Sequence, residues 1–349
     1  MALADHIAAL PVEVEAVERE QLSQPVSPEF TRVTTVVRLR GGGAEGVGED
    51  VTYDASLHEP ARAPEPAVAG FRGTLGDLSE LLEEVDLYGG PISMEPQRDY
   101  RRWAWESAAL DLALRQAGRS LGEVVDRRAR PLSFVASTRI DAATLEPLAS
   151  WVRLYPELRF KLDPTDEWDD GLAARLNGLA GVDVVDLKGA YRGTSVDNPP
   201  SARLYRLAAE AFPEAWIEDP NLDDDAEAAA ALEPHRDRIT WDAPIHSVAD
   251  VDALPFPPRT LNVKPSRFGT LRRLFEFYET CEARGIALYG GGQFELGPGR
   301  GHIQHLASLF HPDAPNDVAP GANNGPPREG LPESPLPPAR IPHVLGTHA

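Results

Sequence analysis

A chain of 349 residues with 42% hydrophobic content is long enough for one large domain or two of ordinary size. Its net charge of −21 argues against nucleic acid or an anionic membrane surface as partner, and no apolar run approaches the roughly 18 residues of a membrane-spanning helix. Cys281 is the only cysteine, so no internal disulfide forms, and with no basic-then-apolar leader pattern the expected location is cytoplasmic.

Residues 10–55 alternate as strands do. Val12, Val14 and Val17 lead into 30–39, then a glycine-rich turn at Gly41-Gly42-Gly43, then 46–53. This predicts an antiparallel meander. Apolar spacing predicts helices over 75–85 and 103–117, with the loop Tyr88-Gly89-Gly90-Pro91 between them. From about residue 132 the texture changes. Short apolar runs at 132–136, 160–162, 182–187, 215–217, 239–241, 261–263, 286–289 and 318–319 alternate with helical stretches. The helices fall at 144–155, 171–179, 202–211, 226–232, 271–283 and 302–309, with Cys281 packed on the fifth of these. Strands alternating with helices predict a parallel sheet, and eight such runs predict a (β/α) barrel without a clear eighth helix. Beyond residue 320, proline and glycine predict an extended tail.

Three lysines carry the functional reading: Lys161, Lys188 and Lys264 are the only ones in the chain. Arginine stays protonated, whereas a lysine can lose its proton when its pKa falls. Each lysine follows a strand-like run. Interleaved at similar strand ends are Asp186, Glu218 and Asp242, spaced 32 and 24 residues apart, about one strand–helix unit each. In a barrel these ends share one mouth, where the chemistry of such folds sits. Three hard oxygen ligands with room for water suit Mg²⁺, and amines beside them suit metal-assisted proton abstraction. The plainer reading of any one of these acids is a helix cap or surface charge.

Here the chain resembles the enolase superfamily, and within it the muconate lactonizing enzyme and o-succinylbenzoate synthase subgroup. Ala215-Trp216-Ile217-Glu218-Asp219-Pro220 resembles the fourth-strand segment, and Val263-Lys264-Pro265-Ser266-Arg267-Phe268-Gly269 the sixth-strand lysine segment. Trp105-Glu106-Ser107-Ala108 resembles the helix that opens the barrel, and Gly46-Val47-Gly48-Glu49 a turn of the cap. The resemblance implies an α/β fold in which an α+β cap (1–105) sits on a modified TIM barrel, (β/α)7β (106–320), with a proline-rich tail (321–349) packing back on the cap. It implies Mg²⁺ on Asp186, Glu218 and Asp242, and a small-molecule carboxylate flanked by Lys161 and Lys264. The metal would stabilise the enediolate formed when the α-proton leaves. Symmetric homo-oligomers are common among such proteins.

Three positions depart from the family pattern. The usual Lys-x-Lys reads Arg159-Phe160-Lys161, with Arg159 keeping a charge near the substrate. Asp-x-Asn reads Asp186-Leu187-Lys188, and residues two apart on a strand share a face, so Lys188 is expected at the metal or substrate. The fifth strand reads Trp241-Asp242-Ala243-Pro244, without the further acid that relatives commonly carry. An added cation at Lys188 leans the reading toward a lyase, dehydratase or cycloisomerase. A racemase or epimerase on the same site is the alternative. So are a Schiff-base aldolase on Lys264 and a metal-free, non-catalytic barrel whose lysines and carboxylates pair as ions.

Gly290-Gly291-Gly292-Gln293-Phe294-Glu295 follows the seventh strand, and Gly291, Gln293 and Glu295 are candidate substrate contacts; a sterically tight loop explains the glycines equally well. Specificity is expected from cap segments 15–30 and 41–50 together with this loop. Arg300, near Gly297–Gly301, could meet an anion at a helix start. His246 reads as a surface loop residue, and His302 and His305, three apart with no third ligand evident, as a helix face.

Overall fold

The computed structural model describes residues 2–28, 30–59, 66–92, 94–140, 144–191 and 198–347. Glu29, inside an expected cap loop, and the last two residues of the tail lie outside them. The N-terminal region runs α1 (Leu3–Ala8), β1 (Pro11–Glu13), β2 (Ala16–Pro25), β3 (Thr31–Gly41), β4 (Ala44–Asp50), β5 (Arg72–Thr74), α2 (Leu75–Glu83) and α3 (Gln97–Gln116). Strands β2, β3 and β4 form the antiparallel meander, and β1 pairs antiparallel with β5. Gly42 and Gly43, at φ 56° and 76°, make the two-residue turn whose twist matches the flanking strands.

Helix α3 lies directly on β4. A Cβ at Gly46 would stand 2.2 Å from Leu112 N, and one at Gly48 2.0 Å from Ala104 O, so only glycine lets the two backbones meet. The helix begins at Gln97, six residues before the expected start. Its first turns carry Arg101 and Arg102, which are buried against partners. Arg101 Nε donates to Asp50 at 2.7 Å, and Arg102 Nε to Glu106 at 2.8 Å. The expected cap–barrel division at 105 falls inside this unbroken helix.

The C-terminal region continues α4 (Leu121–Val125), β6 (Val135–Arg139), α5 (Glu146–Leu154), β7 (Arg159–Asp163), α6 (Asp170–Leu179), β8 (Gly181–Asp186), α7 (Ala202–Ala211), β9 (Trp216–Glu218), α8 (Ala226–Leu232), β10 (Ile239–Thr240), α9 (Val248–Asp252), β11 (Thr260–Val263), α10 (Pro265–Phe268), α11 (Leu271–Arg284), β12 (Ala287–Gly290) and α12 (Pro298–Phe310). Strands β6 to β10 form one parallel sheet in sequence order, and β11 and β12 form a second. Their buried runs, such as Val184-Val185 and Ile217, are the continuous apolar stretches a two-sided parallel sheet needs.

Of the expected (β/α)7β sheet, the ladders form two parallel arcs joined by isolated bonds. On one side Asn262 N donates to Trp241 O at 3.0 Å. On the other, Val135 N donates to Asn316 O at 2.9 Å and Asp317 N to Gly290 O at 2.8 Å. The eighth strand expected at 318–319 is reduced to single bridges at Asn316 and Asp317. Pro312, Pro315 and Pro320 lack the N–H groups a ladder needs. The Asn316 side chain donates instead to Ser133 O at 2.9 Å.

Glu49, at the end of the meander, joins the two regions. Its buried carboxylate accepts N–H groups from Leu296 at 2.7 Å, Gly297 at 3.0 Å and Gly299 at 2.8 Å, at the start of α12. The tail runs back over Leu132, α12 and the C-terminal end of α3, where Gly346 N donates to Asp111 at 2.8 Å and Leu345 N to His305 Nδ1 at 3.0 Å. Cys281 is buried on α11. Among the described residues no helix is long and apolar enough to cross a membrane.

His302, on α12, is fully buried with neither ring nitrogen hydrogen-bonded, and burial drives its pKa down to about 3. The unfolded chain takes up this proton near pH 6.5, so stability present above that pH is lost as pH falls toward about 3. Urea unfolding at pH 7 and pH 4 should show His302→Leu losing about 3 kcal/mol less than the wild type over that interval. Equal losses would exclude His302 as the acid-sensitive group.

Candidate active site and metal centre

The acids and lysines meet at the C-terminal ends of the parallel strands. Lys161 lies on β7, Asp186 ends β8, and Glu218 ends β9, directly opposite Asp186 in the ladder. Asp242 follows β10 and Lys264 follows β11. All five are buried. Lys161 Nζ bridges the first two acids, 2.9 Å from Asp186 and 2.5 Å from Glu218, with Asp317 at 3.7 Å. Lys264 Nζ stands 2.7 Å from Asp242. Lys188 Nζ donates to Asp186 and stands 3.5 Å from Asp163.

Two sharp exits bring these groups together. The chain leaves β8 through Lys188 at φ 55° and β9 through Asp219 at φ 48°. Left-handed backbone at a non-glycine residue costs on the order of 1–3 kcal/mol and needs compensation nearby. Lys188 N donates to Asp186 Oδ1 at 3.1 Å, and Gly189 N to Asp219 O at 2.9 Å. The Asp219 carboxylate accepts Asp242 N at 2.8 Å and Ala243 N at 2.9 Å, so it fixes the loop that carries Asp242.

Burial and opposite charge pull these groups in different directions. Burial alone would lower Lys161, yet Asp186 and Glu218 outweigh it and hold the amine well above its ordinary value. Asp186 and Asp242 are pushed up by burial but end well below the carboxylate range, Asp186 through Lys161 and Lys188, Asp242 through Arg267 and Lys264. Glu218 goes the other way, to about 8, because burial and the surrounding carboxylates outweigh Lys161. Burial also raises Asp219 and Asp163 to about 6.

Several partners had no reading of their own in the sequence. Arg267 sits inside the sixth-strand segment and donates to Asp242 Oδ1 at 2.6 Å. Asp219 follows Glu218 directly, so its neighbour was its only signal. Tyr289, buried on β12, donates to Glu218 Oε2 at 2.6 Å, and nothing in its apolar run marked it. Asp163 and Asp317 complete the acidic ring.

The expected substrate contacts divide. Arg159 belongs elsewhere: it lies toward the N-terminal ends of the strands, half-exposed, with Nε 2.9 Å from Asp183 and beside Glu214 and Trp216. That correction follows from strand pitch, since two residues along β7 carry a side chain about 7 Å away from the mouth. Gly291 lies beside Lys264, since a Cβ there would fall 2.6 Å from Lys264 Cε. Gln293 spans to the cap, with Tyr53 Oη 3.1 Å from its Oε1 and its Nε2 3.1 Å from Tyr100 Oη. Glu295 accepts Gln293 N at 2.6 Å and pairs with Arg300 at 3.0 Å. A cavity of about 450 Å³ opens beside Asp317 between Tyr53, Ser137, Thr138, Phe294 and Arg300.

Oxygen atoms of Asp186, Glu218 and Asp219 lie within 4.8 Å of one another, a spacing able to hold a metal ion. An N-succinylamino acid racemase of Thermus thermophilus is 26% identical over 338 residues, covering 88% of this chain and 85% of its own. An o-succinylbenzoate synthase of Geobacillus stearothermophilus is 26% identical over 79% of this chain and 74% of its own. Among solved structures, a dipeptide epimerase of Methylococcus capsulatus complexed with Mg ion superposes with TM-score 0.65 at 20% identity, over 87% of this chain and 89% of that one. Fold, buried acidic group and relatives together define an enolase-superfamily enzyme, with an N-terminal cap on a TIM-barrel-like domain. Within that class the chain belongs to the family described as Domain of unknown function (DUF8230), matching its N-terminal domain over residues 5–124 and its C-terminal domain over 128–325.

Asp219→Asn keeps the shape but leaves one of two backbone N–H groups facing an amide nitrogen. Chemical denaturation should show a loss of about 1–3 kcal/mol, the cost of a buried donor left without an acceptor. Stability equal to the wild type would remove Asp219 as the anchor of the Asp242 loop.

Proposed function

We propose that this protein abstracts the α-proton of a small-molecule carboxylate, with Mg²⁺ held by Asp186, Glu218 and Asp242. The observation that carries the reading is the charge of the buried site. Among the described residues, Asp163, Asp186, Glu218, Asp219, Asp242 and Asp317 face Lys161, Lys188, Lys264 and Arg267; counted as fully ionised, the acids exceed these cations by the charge of one divalent ion, which would itself favour the ionised form of Glu218. The donor set is all carboxylate oxygen, which suits a hard cation. Asp219 belongs to the cluster, but its oxygens are committed to the backbone N–H groups of the loop that carries Asp242, whereas those of Asp242 face side-chain cations that a metal ion can displace, so Asp242 is taken as the third ligand. In this reading the two parallel arcs are parts of one (β/α)7β barrel, with the cap at 1–105, the barrel at 106–320 and the tail at 321–349.

A bound divalent cation would stabilise negative charge growing on the substrate carboxylate. The chain's own residues do the rest. Lys264, after β11, presents Nζ from one side, and Lys161 and Lys188, on β7 and at the exit of β8, present theirs from the other. A lysine must be neutral to take a proton, so the carboxylates that hold Lys161 charged must be satisfied by another cation first. Lys188 is the more open amine on its side, 21% exposed against 2% for Lys161. A departing oxygen or a second anionic group meets it first, which supports elimination or cycloisomerisation. Amines on both sides also suit racemisation or epimerisation, where one takes the proton and the other returns it. The cavity beside Asp317, walled by Tyr53, Phe294 and Arg300, would receive the rest of the substrate.

Calorimetric titration should give saturable Mg²⁺ binding that Glu218→Gln weakens strongly. No binding up to several millimolar would assign the lysines and acids to structural ion pairs. Incubation in D₂O with N-acyl amino acids, dipeptides, acid sugars and cyclohexadiene carboxylates should reveal the substrate by α-deuteration. On that substrate Lys161→Ala and Lys264→Ala should each lower turnover by about 10²–10⁴. Lys188→Arg should fall well below wild type, since a planar fork does not fit where a compact ammonium does. Full activity in both Lys188→Arg and Lys188→Met would remove Lys188 from the mechanism.

A further inference from the structure

Each of the three strand-end carboxylates is held in the same divided way. Glu218 Oε1 accepts from Lys161 Nζ at 2.5 Å, while Oε2 accepts from Tyr289 Oη at 2.6 Å. Asp186 Oδ2 faces the ammonium groups of Lys161 and Lys188, while Oδ1 accepts Lys188 N at 3.1 Å. Asp242 Oδ2 faces Lys264 Nζ at 2.7 Å, with Tyr191 Oη at 3.3 Å and Arg267 Nη2 at 3.4 Å, while Oδ1 accepts Arg267 Nη1 at 2.6 Å. In every case one oxygen faces a lysine amine and the other is held by a different donor. At Asp186 that donor is backbone, and at Asp242 it is a charged group that also neutralises the acid. At Glu218 it is a single neutral hydroxyl, which can be deleted alone.

We propose that Tyr289 is a positioning residue that limits Glu218 to one-oxygen ligation and so favours Mg²⁺ over Ca²⁺ at this site. The inference rests on the metal reading above. Mg²⁺ takes six ligands at about 2.0–2.1 Å in a strict octahedron, whereas Ca²⁺ takes six to eight at about 2.3–2.6 Å and readily accepts both oxygens of one carboxylate. A hydroxyl seated on Oε2 obstructs the two-oxygen mode and leaves Oε1 to the cation. Tyr289 suits the task because it cannot swing away. It is fully buried on β12, its hydroxyl also meets the Thr240 side chain, and it reaches Glu218 across the space between β12 and β9. Partners that orient a metal ligand typically change metal affinity about 10–100-fold when removed.

The test is calorimetric titration of full-length wild type and Tyr289→Phe with MgCl₂ and with CaCl₂, at one pH and ionic strength. Tyr289→Phe should lose about tenfold or more in Mg²⁺ affinity. Its Ca²⁺ affinity should hold or tighten, so that the preference for Mg²⁺ narrows at least as much. A merely structural tyrosine would weaken both ions alike, and that result, or unchanged binding of both, overturns the proposal and leaves the metal site standing. A wild type that binds no Mg²⁺ overturns the metal reading and this inference with it. If Tyr289→Phe fails to fold, as judged by its melting curve, the wild type loaded with Mn²⁺ decides. Three one-oxygen ligands in a six-coordinate site leave about three bound waters, countable by ¹⁷O hyperfine spectroscopy. Two or fewer overturn the proposal.

Discussion

Burying like charge at close range is the constraint on which the rest of this structure depends. Asp186, Glu218 and Asp219 are fully enclosed and Asp242 is 1% exposed. Isolated, such groups would cost several kcal/mol each and would protonate rather than stay charged. Asp186 and Asp242 stay charged because cations were built in beside them, Lys161 and Lys188 on the first and Lys264 and Arg267 on the second, whereas Glu218 is pushed up to about 8 despite Lys161. Removing one member of such a set does more harm than replacing a whole pair, since it strands a buried charge. The left-handed exits at Lys188 and Asp219 follow from the same constraint. They keep side chains and N–H groups at the level where the acids need partners.

The cap contributes walls and rigidity more than chemistry. Arg32 is fully buried and reaches Thr52 O and Val51 O at 2.7 Å within the cap, and Gln293 O at 2.9 Å and Phe294 O at 3.1 Å across the seam. Glu49 holds the start of α12 from the same direction. The cavity beside Asp317 is therefore bounded by side chains whose backbones are tied to one another, although Tyr53 and Phe294 are far apart in sequence. Helix α3 binds the regions further, because it packs on β4 through glycines at one face and feeds directly into the barrel.

The sequence made the barrel strands and most helices legible because their cores are apolar and their periods simple. Helices α7 and α8 begin and end where spacing predicts. What it concealed has physical reasons. The first turns of α3 carry Arg101 and Arg102 instead of an apolar spacing, and their buried charges are met by Asp50 and Glu106, so the start of the helix was not marked. The eighth run ends as single bridges because side-chain hydrogen bonds from Asn316 and flanking prolines replace a ladder, and pairing cannot be read from one strand alone. At the site, Asp186, Glu218, Asp242 and the lysines stood out by spacing and rarity. Tyr289 and Asp163 did not, since their meaning lies in what they touch across the barrel. Arg159 misled because its distance along the strand was weighed less than its charge.

The confinement of lysine to this site has an effect on what reagents can see. Lys161, Lys188 and Lys264 are the only side-chain amines in the molecule, and the first and last are nearly closed to solvent. The outer surface carries its positive charge entirely on guanidinium groups, which acylating and reductive-alkylating chemistry passes over. Apart from an amino terminus, amine-directed labels, cross-linkers and enzymes that modify lysine therefore find their targets only at the barrel mouth. Modification of the protein by such agents becomes a direct report on whether that mouth is open or filled.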